Sequence, residues 1–271
     1  MGQKNKNVKQ IYYKKELCPH LDFSGGHNNA KVAQYQVIQA ITYRLKTGCQ
    51  WRQLPMKQFF KVRYSWQSVY HHFQKWSKDG SWEKLWQHIL NKYKHLLDMS
   101  SVQLDGTHTQ VKRGGSAVAY QSRKKCKTSN LLLLTDSQGI PLVCSDPISG
   151  NHHDLYDIQD QVAKMLRHLQ DSKISTKDLF LNADAGFDAQ EFRAYCASEE
   201  IIANIPQNER NGCSENEYIF DDELYAHRFV IERTNAWVDA FKALLVRFET
   251  NQIHWKALNI LAFIIIFLRK L

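Results

Sequence analysis

The feature that most constrains this chain is a change of period at Ser101. Before it, apolar residues recur every three or four positions; after it come short apolar runs bounded by turn residues. Residues 101–105 read as a strand leading through Gly106 into a second stretch, 107–112. Residues 131–135 are continuously apolar up to Thr135, which suits a buried central strand, and 140–145 read as a further strand. Residues 113–130 read as a polar loop carrying Arg123, Lys124, Lys125 and Lys127. Then helices over about 157–169 and 189–198 alternate with strands over 179–184 and 201–204, and a polar loop runs to about Asp222. Strands first in a run and then alternating with helices imply an α/β (α+β, mixed-sheet) layer arrangement.

Upstream, Val37, Ile38, Ile41 and Leu45 mark one face of a helix over 32–46 that ends at Gly48. Trp51-Arg52-Gln53-Leu54-Pro55 follows as a loop. A second helix begins near Ser65, with Trp66, Val69, Tyr70, Phe73 and Trp76 inside and Gln67, Ser68, His71, Gln74, Lys75 and Lys78 outside. Ser81 is placed to cap a third, with Trp82, Leu85, Trp86, Ile89 and Leu90 inside. Three such helices fit a helix-turn-helix reader with its second helix in a major groove, Gln67, His71 and Lys75 facing DNA; they equally fit a plain helical bundle. Charge gives the first reading some weight. Residues 1–100 carry 17 Lys+Arg against 5 Asp+Glu, a balance of +12, and the remaining 171 residues carry 19 against 22, a balance of −3. A basic front suits a polyanionic partner. The expected organisation is a flexible or loosely docked basic arm (1–29), a small all-helical domain (30–98) and a catalytic domain (99–271).

The six cysteines show no C-x-x-C pair or disulfide rhythm and read as free thiols, mostly core filler. The first fifteen residues lack the apolar segment of a signal peptide, and the apolar run 258–268 is too short to span a bilayer. No membrane partner is expected, and the chain is placed in the cytoplasm.

Residues 225–242 read as one amphipathic helix with two faces. Trp237, Phe241, Leu244, Leu245 and Phe248 recur at inward spacing, and Arg228, Glu232, Asn235, Asp239 and Lys242 form a polar stripe. Alone, that stripe is an ordinary surface ion-pair row. Upstream, however, Asp105 and Asp184 each lie at or near the end of an apolar strand, with a glycine close behind. Either aspartate alone would read as a turn former or helix cap. With Glu232, three carboxylates could converge on a pair of Mg²⁺ ions about 4 Å apart, an arrangement suited to phosphoryl transfer.

These residues carry a resemblance. Trp51-Arg52-Gln53-Leu54-Pro55, Ser68-Val69-Tyr70, Trp76, Gly80 and Trp82 resemble the N-terminal domain of bacterial insertion-sequence DDE transposases of the group typified by insertion sequence five. Leu104-Asp105-Gly106-Thr107-His108, Ala183-Asp184-Ala185-Gly186-Phe187-Asp188, and Tyr225, Arg228 and Glu232 followed by Arg233-Thr234-Asn235-Ala236-Trp237 resemble its three catalytic blocks. The resemblance implies an RNase H-like catalytic domain, with Asp105, Asp184 and Glu232 as metal ligands for two Mg²⁺ ions, Mn²⁺ able to substitute. It implies a transposase that cleaves its element's inverted-repeat ends and joins the 3′ hydroxyl to target DNA, working as a homodimer or larger assembly at the bacterial nucleoid. His108, Asn151, His153 and Asp154 are expected to orient neighbours or DNA, and Arg123, Lys124 and Lys125 to contact phosphates. Arg228 is expected to clamp a phosphate oxygen or hold Glu232, with Tyr225, Asn235 and Lys242 in support. Two positions depart from the pattern. Asp239 stands where the group often has a lysine, leaving Lys242 as substitute, and Ala185 stands where it usually has a basic residue. The alternatives are a weakened or domesticated transposase acting as a DNA-binding protein, and a metal nuclease of the same fold that never joins.

Overall fold

The computed structural model describes residues 11–24, 31–208 and 220–271. The expected Gly25-Gly26 turn, the first three lysines and Cys213 lie outside them. Helices α1 (Gln34–Thr47), α2 (Trp66–Lys78) and α3 (Ser81–Tyr93) form close to the boundaries that periodicity gives. α1 ends at Gly48, whose φ of +67° is the left-handed cap; a Cβ there would press within 3.1 Å of the Lys242 backbone. Ser65 caps α2 by accepting the Ser68 N–H. Ser81 is not the cap of α3: it is the first helical residue, and its N–H donates to Asp79 Oδ1.

Residues 11–24 are not loosely docked. Leu17 is fully buried, Lys92 Nζ reaches both Glu16 oxygens at 2.8 Å, and Trp76 Nε1 donates to the Asp22 carbonyl. Of the five described cysteines, all free thiols, Cys144 and Cys196 are buried in the core, Cys18 and Cys49 are half-buried against it, and Cys126 is half-buried on β3.

The strands are β1 (Ser101–Gln110), β2 (Ala119–Gln121), β3 (Cys126–Asp136), β4 (Pro141–Cys144), β5 (Ile148–Ser149), β6 (Leu179–Asn182) and β7 (Ile201–Asn204). β1 is central, antiparallel to β3 along its whole length and parallel to β6, which in turn is parallel to β7. β2, β5 and β4 pair in succession with β3. Helices α4 (Ile158–Asp171) and α5 (Gln190–Ser198) make the crossovers into β6 and β7. Three antiparallel strands followed by two helix-crossover strands parallel to the first is the RNase H-like arrangement. Two expectations change. β1 runs unbroken through Gly106, and the supposed polar loop at 113–130 contains a β2–β3 hairpin whose turn is Ser122–Lys125.

Residues 225–242 are not one helix. α6 (Asp222–Ala226) passes through a 3-10 turn, His227–Phe229, into α7 (Val230–Asp239). Phe241 is then extended (φ −85°, ψ 100°), and a short α8 (Lys242–Leu245) follows. Phe241 and Leu244 are buried, but Leu245 and Phe248 are about half exposed, so the inward stripe does not survive the break. The last helix, α9 (Gln252–Phe267), is buried almost all round and packs on α2, α3 and β4, joining helical region and sheet in one apolar core. No helix among the described residues is long and apolar enough to cross a membrane.

Candidate active site

The site begins with a register. β1 and β6 run parallel with Gln103 opposite Asn182, the last pair of that ladder. Two residues beyond it on each strand stand Asp105 and Asp184. Asp105 is therefore not at a strand end, since it still pairs with Leu133 of β3, but it lies just past the carboxyl end of the parallel ladder. That rim is where α/β sheets present side chains to ligands.

A buried amide ladder fixes the rim. Asn204 Nδ2 donates to Asn182 Oδ1 at 2.7 Å, and Asn182 Nδ2 donates to Gln103 Oε1 at 2.9 Å, crossing β7, β6 and β1. The same amides bind the chain that carries the third carboxylate. Asn182 Nδ2 also donates to the Leu224 carbonyl, Asn204 Nδ2 to the Asp221 carbonyl, and the Asp221 N–H to Asn204 Oδ1. Gln103, Asn182 and Asn204 were missed in the sequence. The available signal was a polar residue at a buried place in each of three otherwise apolar strands.

From that anchor, α6 and the 3-10 turn carry Arg228 inward, and α7 carries Glu232 and Asn235. Arg228 Nη2 lies 3.4 Å from Asp105 Oδ1 and 3.4 Å from Asp184 Oδ2, so it bridges the two aspartates instead of holding Glu232. Asn235 Nδ2 donates to Asp105 Oδ2 at 3.2 Å. Asp184 also caps the 3-10 turn that follows it, accepting the Gly186 N–H at 2.8 Å through Oδ1. The Asp105 carboxyl is pushed up to about 6, first by burial and then by the negative charges of Glu232 and Asp184, against the pull of Arg228. Asp105 is thus within electrostatic reach of both other carboxylates.

They are not drawn into a ready cage: among the described residues, no group of three or more His, Cys, Asp or Glu could hold a metal ion. The donor set nevertheless suits a hard divalent cation, being oxygen-only and under mutual repulsion that positive charge would relieve. Glu232 is exposed on α7.

Asp105, Glu232 and Asn235 share a cleft of about 660 Å³ with His108, the β2–β3 hairpin from Tyr120 to Lys124, and the loop Gly150–Asp154. Arg123, Lys124 and Lys125 are exposed at the hairpin tip, and Lys124 Nζ is tied back to the His108 carbonyl at 2.8 Å. Asp154 accepts from Asn130 Nδ2 at 2.5 Å and lies 3.9 Å from His108 Nε2. Burial holds the His108 imidazole below its ordinary range, against the pull of Asp154. His153 Nδ1 accepts the Leu155 N–H, which orders the loop, and His152 stacks on Tyr156.

Gly106 lets this wall close. A Cβ there would lie 2.1 Å from Asp154 Oδ1. Gly106→Ala is expected to expel the Asp154 carboxylate and cost about 1–3 kcal/mol of stability. Thermal melts check this; a melting temperature equal to wild type would show that the close approach is dispensable.

Other expected residues fall elsewhere. Lys242 lies beyond the break at Phe241, exposed and backed against Gly48, so it does not share the face of Glu232. Asp239 is nearer: it borders a small hollow with Thr107 and Asn235, and burial raises its carboxyl. Tyr225 packs on Phe220 and is half-buried outside the cleft. Gln67 and His71 are exposed on α2, but Lys75 is paired with Asp22 at 2.5 Å.

Two protein families match the chain. Residues 15–86 match a transposase family of the IS4/5 type, and residues 104–268 match the family described as DDE superfamily endonuclease. No curated protein matches by sequence. Among solved structures, the Mos1 transposase paired-end complex with left transposon end is 15% identical, with 89% of this chain and 79% of that chain covered and a TM-score of 0.30. A pre-cleavage Mos1 transpososome is 13% identical over the same shares at 0.30, and the Mos1 strand transfer complex is 16% identical over 89% and 78% at 0.29. Superposition at that level places no residue of one chain on the other.

Proposed function

The chain belongs to the DDE superfamily endonucleases and is a transposase of the insertion-sequence type, and from that premise we propose that it cleaves the ends of its own element and joins them to target DNA. The observation that supports this reading is that Asp105 and Asp184 both lie 3.4 Å from Arg228 Nη2 at the sheet rim, while Asp105 and Glu232 line one cleft. Asp105, Asp184 and Glu232 would hold the divalent ions, Mg²⁺ or Mn²⁺. Such an ion, when bound, polarises a phosphoryl oxygen and eases deprotonation of an attacking hydroxyl.

The chain's own residues do the rest. Asn235 orients Asp105 from α7, and the amide ladder keeps β1, β6 and the 221–224 segment in one frame. The hairpin cations Arg123, Lys124 and Lys125 offset the negative cleft and draw the DNA backbone to it. Gln67 and His71 on α2 are the remaining candidates for reading the inverted repeat. Pairing of two ends implies at least a dimer of this chain in the working complex.

Incubation of the protein with DNA carrying the element's inverted repeats and flanks tests the reading. Mg²⁺ is expected to yield cuts at the repeat boundaries, and EDTA none. A second reading, a DNA-binding protein without cleavage, draws on Arg228 already lying between the two aspartates. It predicts end binding with no cut under any metal.

A further inference from the structure

Arg228 makes two contacts that are individually weak. A single nitrogen, Nη2, serves both Asp105 and Asp184, each at 3.4 Å, well beyond the roughly 2.7–2.9 Å of a good charge-assisted bond. Its Nε is buried and has no hydrogen-bond partner among the described residues. A planar guanidinium can offer a two-pronged grip, and here one prong is shared and another unused. Nor can the group leave by losing a proton, because Arg stays charged in proteins. It leaves only by moving, and it sits on a 3-10 turn between two helices, His227–Phe229, whose hydrogen bonding is poorer than that of a regular helix.

We propose that Arg228 is a resident cation holding Asp105 and Asp184 together in the metal-free protein, and that a divalent ion displaces it and frees its guanidinium for a DNA phosphate. This rests on the metal site of the proposed function. One consequence follows from the charge of the group and one from its two-pronged shape. Without DNA, the arginine competes with the ion for the same carboxylate oxygens, so it weakens metal binding. With DNA, the freed fork gains a phosphate partner, so metal and DNA strengthen each other's binding by the same factor.

The test titrates Mn²⁺ into the full chain without DNA, following binding by calorimetry, for wild type, Arg228→Gln, Arg228→Lys and Asp105→Asn. Arg228→Gln is expected to bind Mn²⁺ on the order of tenfold more tightly than wild type. Arg228→Lys keeps the charge without the fork and is expected to stay near wild type. A second measurement takes end-DNA affinity with and without Ca²⁺. Wild type is expected to gain affinity with the ion, and both Arg228 variants to lose that gain. Equal or weaker Mn²⁺ binding by folded Arg228→Gln overturns the proposal. So does an undiminished Ca²⁺ effect in Arg228→Lys, which decides the matter if Arg228→Gln misfolds. Absence of any Asp105-dependent Mn²⁺ binding in wild type and variants alike overturns the metal site of the proposed function instead.

Discussion

Asp105→Asn, Asp184→Asn and Glu232→Gln are each expected to lower metal-dependent end cleavage and joining by at least about a thousandfold while end binding persists. The size follows from the charge each position supplies: a divalent ion contributes several kcal/mol to a phosphoryl-transfer barrier, and about 4 kcal/mol is a thousandfold in rate. Asp105→Asn is expected to fold: Asp105 is a half-buried carboxyl pushed up to about 6, first by burial and further by Glu232 and Asp184 against the pull of Arg228, so the neutral amide removes a charge the site disfavours. Asparagine at 105 keeps a single acceptor oxygen, enough for either Arg228 or Asn235, which use different carboxylate oxygens of Asp105. Melting temperature at or above wild type, beside lost cleavage, is the expected pair of results. Undiminished strand transfer in any one variant would remove that residue from the site.

The largest expected loss of stability comes from a residue far less visible in the sequence. Arg247 is fully buried and donates to the Glu249 carbonyl at 2.8 Å, the Ser116 carbonyl at 2.9 Å, the Ala117 carbonyl at 3.3 Å and Ser129 Oγ at 2.5 Å. Its guanidinium is pushed down to about 10 by burial, with Glu249 opposing. It staples the loop before the β2–β3 hairpin to β3 and to the segment entering α9. Beside it, Glu249 accepts from Arg44 at 2.8 Å and from Trp51 Nε1 at 3.2 Å, which joins the helical region to the sheet. Arg247→Met matches the length of the stem but strands the buried Glu249 carbonyl and Ser129 hydroxyl and the part-buried carbonyls of Ser116 and Ala117. It is expected to cost about 3–5 kcal/mol and on the order of 10 °C in melting temperature. A melt within a degree or two of wild type would show that water replaces the lost donors.

The contrast between Asp105 and Arg247 shows what the sequence made legible. Local signals worked where the cause is local. Gly48 ends its helix because only a left-handed residue fits, Ser65 caps because its hydroxyl reaches the Ser68 N–H, and the run at 131–135 is central because it is apolar throughout. The two aspartates were found because each follows a short apolar strand. Their alignment required the parallel register of β1 with β6, which no local pattern encodes.

What stayed hidden depends on contacts between residues far apart in the chain. The break at Phe241 has neither proline nor glycine to announce it; the chain turns there as Phe241 enters the core and Lys242 backs onto Gly48. Helical spacing therefore assigned Lys242 to a face it does not share. Arg228 shows the same limit: spacing within a helix offers Glu232, one turn on, as one of its two possible partners, whereas the sheet rim brings two aspartates to it. The Gln103–Asn182–Asn204 ladder and the Arg44–Glu249–Trp51 junction are polar groups satisfied across elements, and periodicity is silent about them.

The central claim is that one carboxylate-lined cleft performs metal-dependent transfer of a DNA phosphoryl group to a 3′ hydroxyl. Its most direct measurement uses a pre-cleaved inverted-repeat end, supplied either with a 3′ hydroxyl or with a 3′-deoxy terminus, together with supercoiled target DNA. Joined product is expected only with the 3′ hydroxyl and only with Mg²⁺ or Mn²⁺, while both ends bind alike. Joining of the 3′-deoxy end, or joining in EDTA, would contradict it.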